Sequence, residues 1–322
     1  MRRIIGSAIA VTIVVVCAIA QGQSLSGESR QTEMASGSEL AVDEQQDRLR
    51  VSWKGQVIGD FVFRDERILR PYFANLRSPD GRQVTRQHPP VTGVDAVDHD
   101  TMHPGIWLGF GDIGQQDFWR NKAAMEHVRF VVPPKVADSR LHFATECRLK
   151  SSSGEPLCLL RNDISIVPRP TGWLLTWDAE FLADRRAIVF GDQEEMGFGA
   201  RVATPLTEKN GGVIRSSTGK KNAKDTWGQP AAWCDYSGGG PRSGGVMLMA
   251  SPVNFRESWW HNRDYGLIVA NPFGRAAMRQ GTPSAVEVAQ GKSLRLRFGA
   301  LIHDSQSFDP AEEFAVFNKK FP

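Results

Sequence analysis

Three scarcities bound what this chain can be. It has only four cysteines, three tyrosines and seven histidines in 322 residues. It carries almost no excess charge, +3 at neutral pH, and its lysines and arginines are not gathered into one stretch. An even spread of charge gives no electrostatic footprint for nucleic acid. After residue 20 no segment is apolar enough to span a bilayer. Four chemistries are also missing from the motifs: a serine nucleophile elbow, a Cys-x-x-Cys pair, a phosphate-binding glycine loop and a dinucleotide fingerprint.

The N-terminus supplies the one long apolar run. Met1-Arg2-Arg3 is followed by an apolar stretch from Ile4 to Ala20 that closes on Ala18-Ile19-Ala20. A basic start, an apolar middle and a small-x-small end predict a secretory signal peptide over residues 1–20. An uncleaved anchor is the alternative, although the run is at the short end of the ~17–25 residues a spanning helix needs. Cys17 follows Val16, a poor fit to a lipoprotein site. Residues 21–46 are rich in Ser, Gly, Glu and Gln and are predicted to be a disordered linker, because they bury too little to offset their ordering entropy. Residues 47–322 are then expected to form one exported domain, periplasmic or extracellular, with no membrane span once the leader is removed.

Strand patterns dominate that domain. Arg48 to Trp53 alternates, turns at Lys54-Gly55 and resumes from Gln56, a hairpin signature. Leu294-Arg295-Leu296-Arg297-Phe298 alternates strictly, as a strand does when one sheet face is covered and the other is wet. Similar runs recur at 106–110, 127–132, 141–149, 157–166, 173–182, 197–203, 245–250 and 265–269. One helix is predicted, at the C-terminus, where Asp309 suits the N-cap, Pro310 the first turn, and Glu312 and Glu313 the positive end. The expected class is all-β, a large antiparallel sandwich with a short C-terminal helix. Two strands joined by Ser151-Ser152-Ser153-Gly154 would place Cys147 opposite Cys158 if Lys150 faces Glu155. A disulfide and two buried free thiols are equally compatible with that spacing.

Three segments carry candidate chemistry. In Asp98-His99-Asp100-Thr101-Met102-His103-Pro104-Gly105-Ile106-Trp107, two histidines lie four apart among acids, just before a Trp-bearing strand. In Gly191 to Arg201, three acids precede Gly197 and Gly199, and Glu195 and Arg201 share a strand face. In Glu257 to Gly266, Trp259, Trp260, His261, Arg263 and Asp264 are clustered. Gathered into one strand-end cleft, His99, His103, Glu195 and His261 would be acid–base residues. Arg201, Arg263 and Asp264 would position substrate, and Trp107, Trp259 and Trp260 would stack on it. That set suits a small carbohydrate or glycan, as an epimerase, hydrolase or lyase, with no cofactor. Two alternatives stand beside it. One is a non-catalytic binding or structural module. The other is a divalent-metal enzyme using His99 and His103.

These segments, with Arg70-Pro71-Tyr72-Phe73, Thr85-Arg86, Asp117-Phe118-Trp119 and Ala270-Asn271-Pro272-Phe273-Gly274, resemble an exported bacterial family labelled PmoA-like after a methane oxygenase subunit. The resemblance implies a layout similar to the galactose-mutarotase-like supersandwich, whose members handle sugars with His and Glu residues on a concave face. The family's usual Asp-His-Pro-His-His is Asp98-His99-Asp100-Thr101-Met102-His103 here, so one histidine of a three-histidine metal site is missing. Methane oxidation, which the label implies, would require several spanning helices, and this sequence does not provide them.

Overall fold

A computed structural model describes residues 39–238, 243–304 and 308–321. The predicted signal peptide lies outside the described residues, as does most of the predicted linker. Two large antiparallel sheets face each other. The first runs in the order β1 (Leu40–Glu44), β2 (Arg48–Trp53), β3 (Gln56–Val62), β4 (Tyr72–Ala74), β5 (Ile106–Phe110), β11 (Met196–Arg201), β16 (Leu267–Asn271) and β15 (Trp259–Trp260). The second runs β12 (Val213–Ser216), β13 (Trp233–Gly238), β14 (Gly244–Ala250), β18 (Ser293–His303), β9 (Gly172–Leu182), β8 (Pro156–Arg169), β7 (Arg140–Lys150) and β6 (Ala124–Ala137). A two-stranded ribbon pairs β10 (Ile188–Phe190) with β17 (Val286–Val288). The short helix α1 (Asn222–Thr226) and the C-terminal helix α2 (Pro310–Asn318) complete the elements used below. The all-β sandwich expected from the alternation is the observed class.

Alternation assigns the faces. In β18, Leu294, Leu296 and Phe298 point into the core. Arg295 and Arg297 point outward onto Asp178 of β9, at 2.7 and 3.1 Å. Between the sheets Phe61 packs at 5.0 Å from both Phe73 and Phe143, and at 6.1 Å from Trp177. Two rings from each sheet thus lock the layers together, which aromatic pairs do beyond their buried area. Asp309 caps α2 as predicted, accepting from Ala311 N–H at 2.8 Å. Phe317 of that helix seals a smaller apolar cluster on the outside of the second sheet with Leu174, Met247, Met249 and Leu301.

Two predictions are corrected. The linker assigned to 21–46 contains β1, which pairs along its whole length with β2 from Leu40↔Trp53 to Glu44↔Leu49. The polar composition concealed a sheet-edge strand that needs only Leu40 buried. The cysteines do not face each other. A bulge between Leu149 and Lys150 shifts the hairpin, so that Leu149 opposes Cys158 and Cys147 opposes Leu160. Cys147, Cys158 and Cys234 are free and buried.

Burial pushes the thiols of Cys147 and Cys158 up to about 12 and raises Cys234 as well. The native protein should therefore resist thiol reagents at mildly alkaline pH, since the thiolate is the reactive form. It should release three titratable thiols from these positions in denaturant without reductant. A Cys147–Cys158 cross-linked peptide in a non-reducing map would overturn this assignment.

Candidate functional site

The outer face of the first sheet carries the candidate residues. Ladder pairs align Tyr72 with Trp107 and Trp107 with Gly199, and Gly199 in turn with Val269. His261 N–H donates to Val269 O at 3.0 Å. Residues opposed across a ladder share a face, so this row runs from the Tyr72 strand to His261. Gly109 opposes Gly197 on the same face. The missing side chains let rings lie flat on the sheet. A Cβ at Gly199 would sit 2.9 Å from Trp107 Cζ2, and Gly197 takes φ +117°, which only glycine adopts freely. Trp107 and Trp119 meet edge to face at 5.3 Å on this bare strip.

Two buried arginines bind the covering loops to that floor. Arg70 donates to the carbonyls of Trp119 at 2.9 Å and Met102 at 2.6 Å. Arg86 donates to those of Ala96 and Asp98 at 2.9 and 2.5 Å, and to those of His99 and His103 at 3.2 and 3.0 Å. Burial pushes their guanidiniums down to about 9 and about 10, so both remain charged at neutral pH. The loop through 96–103 is thereby fixed as a non-helical turn, with His99 at φ +50°.

One group of candidates forms there. His103 stacks on Trp107 at 5.2 Å and on His99 at 4.9 Å. Arg201 donates to His103 Nδ1 at 3.2 Å and to both Asp98 oxygens at 2.8 and 3.1 Å. Its guanidinium lies 4.5 Å from the Tyr265 ring. Because a guanidinium only donates, His103 Nδ1 is the acceptor, and the neutral ring carries its proton on Nε2. Burial, with the Arg201 charge behind it, lowers His103 well below the usual histidine range. Partial burial would raise Asp98, but the hydrogen bonds from Arg201 and His99 outweigh it and hold the carboxyl at about 2.

A second group sits across the strip. Glu194 Oε2 accepts from Arg263 at 2.6 Å and lies 3.4 Å from His261 Nε2. His261 Nδ1 lies 3.0 Å from the Glu194 carbonyl. Glu195 pairs with Arg120 at 2.9 Å, and Arg120 also reaches Asp117 at 3.2 Å. Burial raises the Glu194 carboxyl, opposed by Arg263 and assisted by Glu195. Burial and the Arg263 charge lower His261 to about 4. A cleft of about 400 Å³ opens beside this group, between Trp227, Asn262, Arg263 and Lys224. A larger one, about 840 Å³ between Asp112, Arg186 and Ser284, includes none of the predicted site residues.

The structure thus divides the predicted cleft. His99, His103, Trp107 and Arg201 lie together, and Glu195, His261 and Arg263 lie together. Three strand spacings of about 4.8 Å separate the Trp107 and His261 positions, so the four acid–base candidates are not in mutual contact. Tyr265 links the halves: burial raises its hydroxyl, and the charges of Arg201 and Arg263 both oppose that rise. Two stacking roles do not hold. Trp107 is wholly buried as the floor. Trp260 is in the main core, its indole N–H donating to Ala231 O at 2.9 Å. Asp264 is exposed, lines the cleft beside Arg263 and lies 3.7 Å from Lys209. Trp259 is half-buried on the edge strand, with Arg275 5.4 Å from its ring.

In the alternative metal pair, the Nδ1 atoms of His99 and His103 are engaged by Asp98 and Arg201. Among the described residues no three His, Cys, Asp or Glu side chains converge as a metal set. Glu194, Arg70, Arg86, Arg120, Tyr265 and Trp227 were not among the predicted site residues. Glu194 directly precedes Glu195, and only the strand's start tells which of the two turns toward His261.

The class so defined is a two-sheet antiparallel sandwich with charged clusters on the outer face of one sheet. The chain belongs to a family of unknown function, DUF6807, whose model matches residues 48–317. No curated protein sequence matches it. Among solved structures, it is similar to a galactose 1-epimerase from Lactobacillus acidophilus NCFM at 7% identity and TM-score 0.42, covering 83% of this chain and 98% of that one. It is also similar to a galactose mutarotase-like protein from Lactobacillus casei ATCC 334, at 9% identity and TM-score 0.36, covering 82% and 100%. A heparan sulfate lyase HepC mutant from Pedobacter heparinus gives 7% identity and TM-score 0.38, covering 85% and 36%. Likenesses this distant carry no functional weight. The PmoA-like resemblance has no counterpart among these matches. No helix among the described residues is long and apolar enough to cross a membrane.

His261 allows a stability test. Its folded value of about 4 lies below the ordinary 6.5, so folding favours the neutral ring. Its contribution is complete above pH 6.5 and is lost as pH falls below that value. His261→Asn should flatten that loss of stability in urea titrations at stepped pH. An unchanged slope would show that His261 is not held neutral.

Proposed function

We propose that this protein acts on a carbohydrate at the Glu194–His261–Arg263 group, with Glu194 as the proton-transferring carboxyl. The observation that carries the reading is the state of Glu194. It is a half-buried carboxyl with its pKa raised, still reachable from solvent, touching a neutral imidazole and one arginine. An acid tuned upward beside a second carboxylate of different surroundings is how acid and base roles are separated at one pH. Guanidinium donors and carboxylate acceptors lie side by side along the rim, from Arg263 and Glu194 to Glu195, Arg120 and Asp117. That arrangement suits a ligand rich in hydroxyls. His103, held neutral with its Nε2 proton outward from Arg201, is a hydrogen-bond donor at the far side of the strip.

Saturation-transfer NMR against a panel of mono- and oligosaccharides, followed by product NMR, tests this directly. At least one sugar should bind and be converted. Glu194→Gln should keep binding and lose about 10²–10⁴-fold in turnover, the range of a positioned acid or base. Binding without turnover in the wild type would favour the non-catalytic module, and failure of every sugar to bind would end the carbohydrate reading.

We also infer export, from the basic, apolar and small-residue sequence of residues 1–20. N-terminal sequencing of protein from its native cells should begin just after Ala20, and an intact Met1 would contradict it.

A further inference from the structure

Beside the Glu194 group lies a set of arginines with no direct ion-pair partner. Arg120 and Arg263 each hold a glutamate. Arg256, Arg275 and Arg279 form no ion pair among the described residues. All three are held against tryptophan rings. Arg256 and Arg275 lie 5.9 and 5.4 Å from Trp259. Arg279 lies 6.0 Å from Trp227, whose ring is also 5.7 Å from Arg263. Arg275 Nε is buried without a hydrogen-bond partner. Asp192, whose charge acts on Arg256, has its carboxylate occupied by the backbone N–H groups of Ala276, Ala277 and Ser284 at 3.0, 2.9 and 2.6 Å. That clamp fixes the loop bearing Arg275 and Arg279. The charges of Arg256 and Arg275 act against each other, a repulsion that a bound anion would relieve.

We propose that the carbohydrate taken by this protein is acidic, an oligosaccharide bearing carboxylate or sulfate groups that Arg275 and Arg279 bind while a neighbouring sugar unit lies at Glu194. The physical case is preorganisation. A guanidinium stacked on an aromatic ring keeps its planar fork free for an oxyanion and loses little entropy on binding one. The Arg279–Trp227 unit joins the Glu194 group through Arg263, which lies over the same ring, and Arg275 belongs to the same loop as Arg279. Uronate and sulfate share this chemistry, and the test separates them.

The inference rests on the carbohydrate reading, and calorimetry with three probes of matched length keeps the two apart: an oligogalacturonate, a sulfated oligosaccharide and a neutral galacto-oligosaccharide. At low salt one or both acidic probes should bind about tenfold or more tightly than the neutral one. Added salt should narrow the gap. Arg279→Gln, at an exposed position that leaves the core untouched, and Arg275→Gln should each weaken the acidic probe about tenfold while the neutral probe is little changed. A preference confined to the galacturonate or to the sulfated probe supports the inference and names the anion. Equal binding of neutral and acidic probes, or indifference to both substitutions, overturns the inference and leaves the carbohydrate reading standing. No binding of any probe removes both.

Discussion

A buried guanidinium cannot shed its proton at neutral pH, so it must be surrounded by acceptors, and the outer face of the first sheet is organised by that demand. Arg70 and Arg86 obtain their acceptors from main-chain carbonyls of the loops through 96–103 and 118–121. Each loop is thereby held down on a face that would otherwise be an ordinary sheet exterior. The glycines at 109 and 199 leave room for what the loops press down, the Trp107 and Trp119 rings. His103 is buried because it stacks on that floor, and Arg201 is aimed at it because Arg201 continues the same strand face.

Charge is used differently on the two sides of the strip. Around Asp98 it is closed: a carboxylate, two arginines and a hydrogen-bonded histidine satisfy one another. Around Glu194 and Glu195 it is less complete, since each carboxylate is paired with a single arginine. Beyond them Arg256, Arg275 and Arg279 stand against tryptophan rings without an ion pair. This gradient from satisfied to unsatisfied charge is the basis on which we propose chemistry at Glu194 and recognition at Arg275 and Arg279, while the His103 side holds the floor.

Much of the scaffold was legible in local pattern. Leu294 to Phe298 alternates and forms a strand whose arginines reach Asp178. Asp309-Pro310 starts the helix it predicts. What escaped were features whose cause is distant. The segment Leu40–Glu44 looks like linker because an edge strand needs few buried side chains. Cys147 and Cys158 slip past each other because a bulge at Leu149 changes the pairing, and bulges have no reliable local signature. Trp260 reads like an exposed aromatic beside Trp259, yet period-two alternation at the sheet edge sends one of the two inward.

The sequence by itself determined the all-β class, the C-terminal helix and the three segments that bear His, Glu, Arg and Trp, because alternation, capping and side-chain chemistry are local properties. The tertiary structure decided which of these meet. It split the histidines between two clusters, replaced Glu195 by Glu194 at His261, turned Trp107 into floor and gathered Arg275 and Arg279 beside Trp259 and Trp227. Those outcomes depend on ladder register between strands far apart in the chain, and on which buried charge finds which distant carbonyl. Neither quantity is carried by any short stretch of residues.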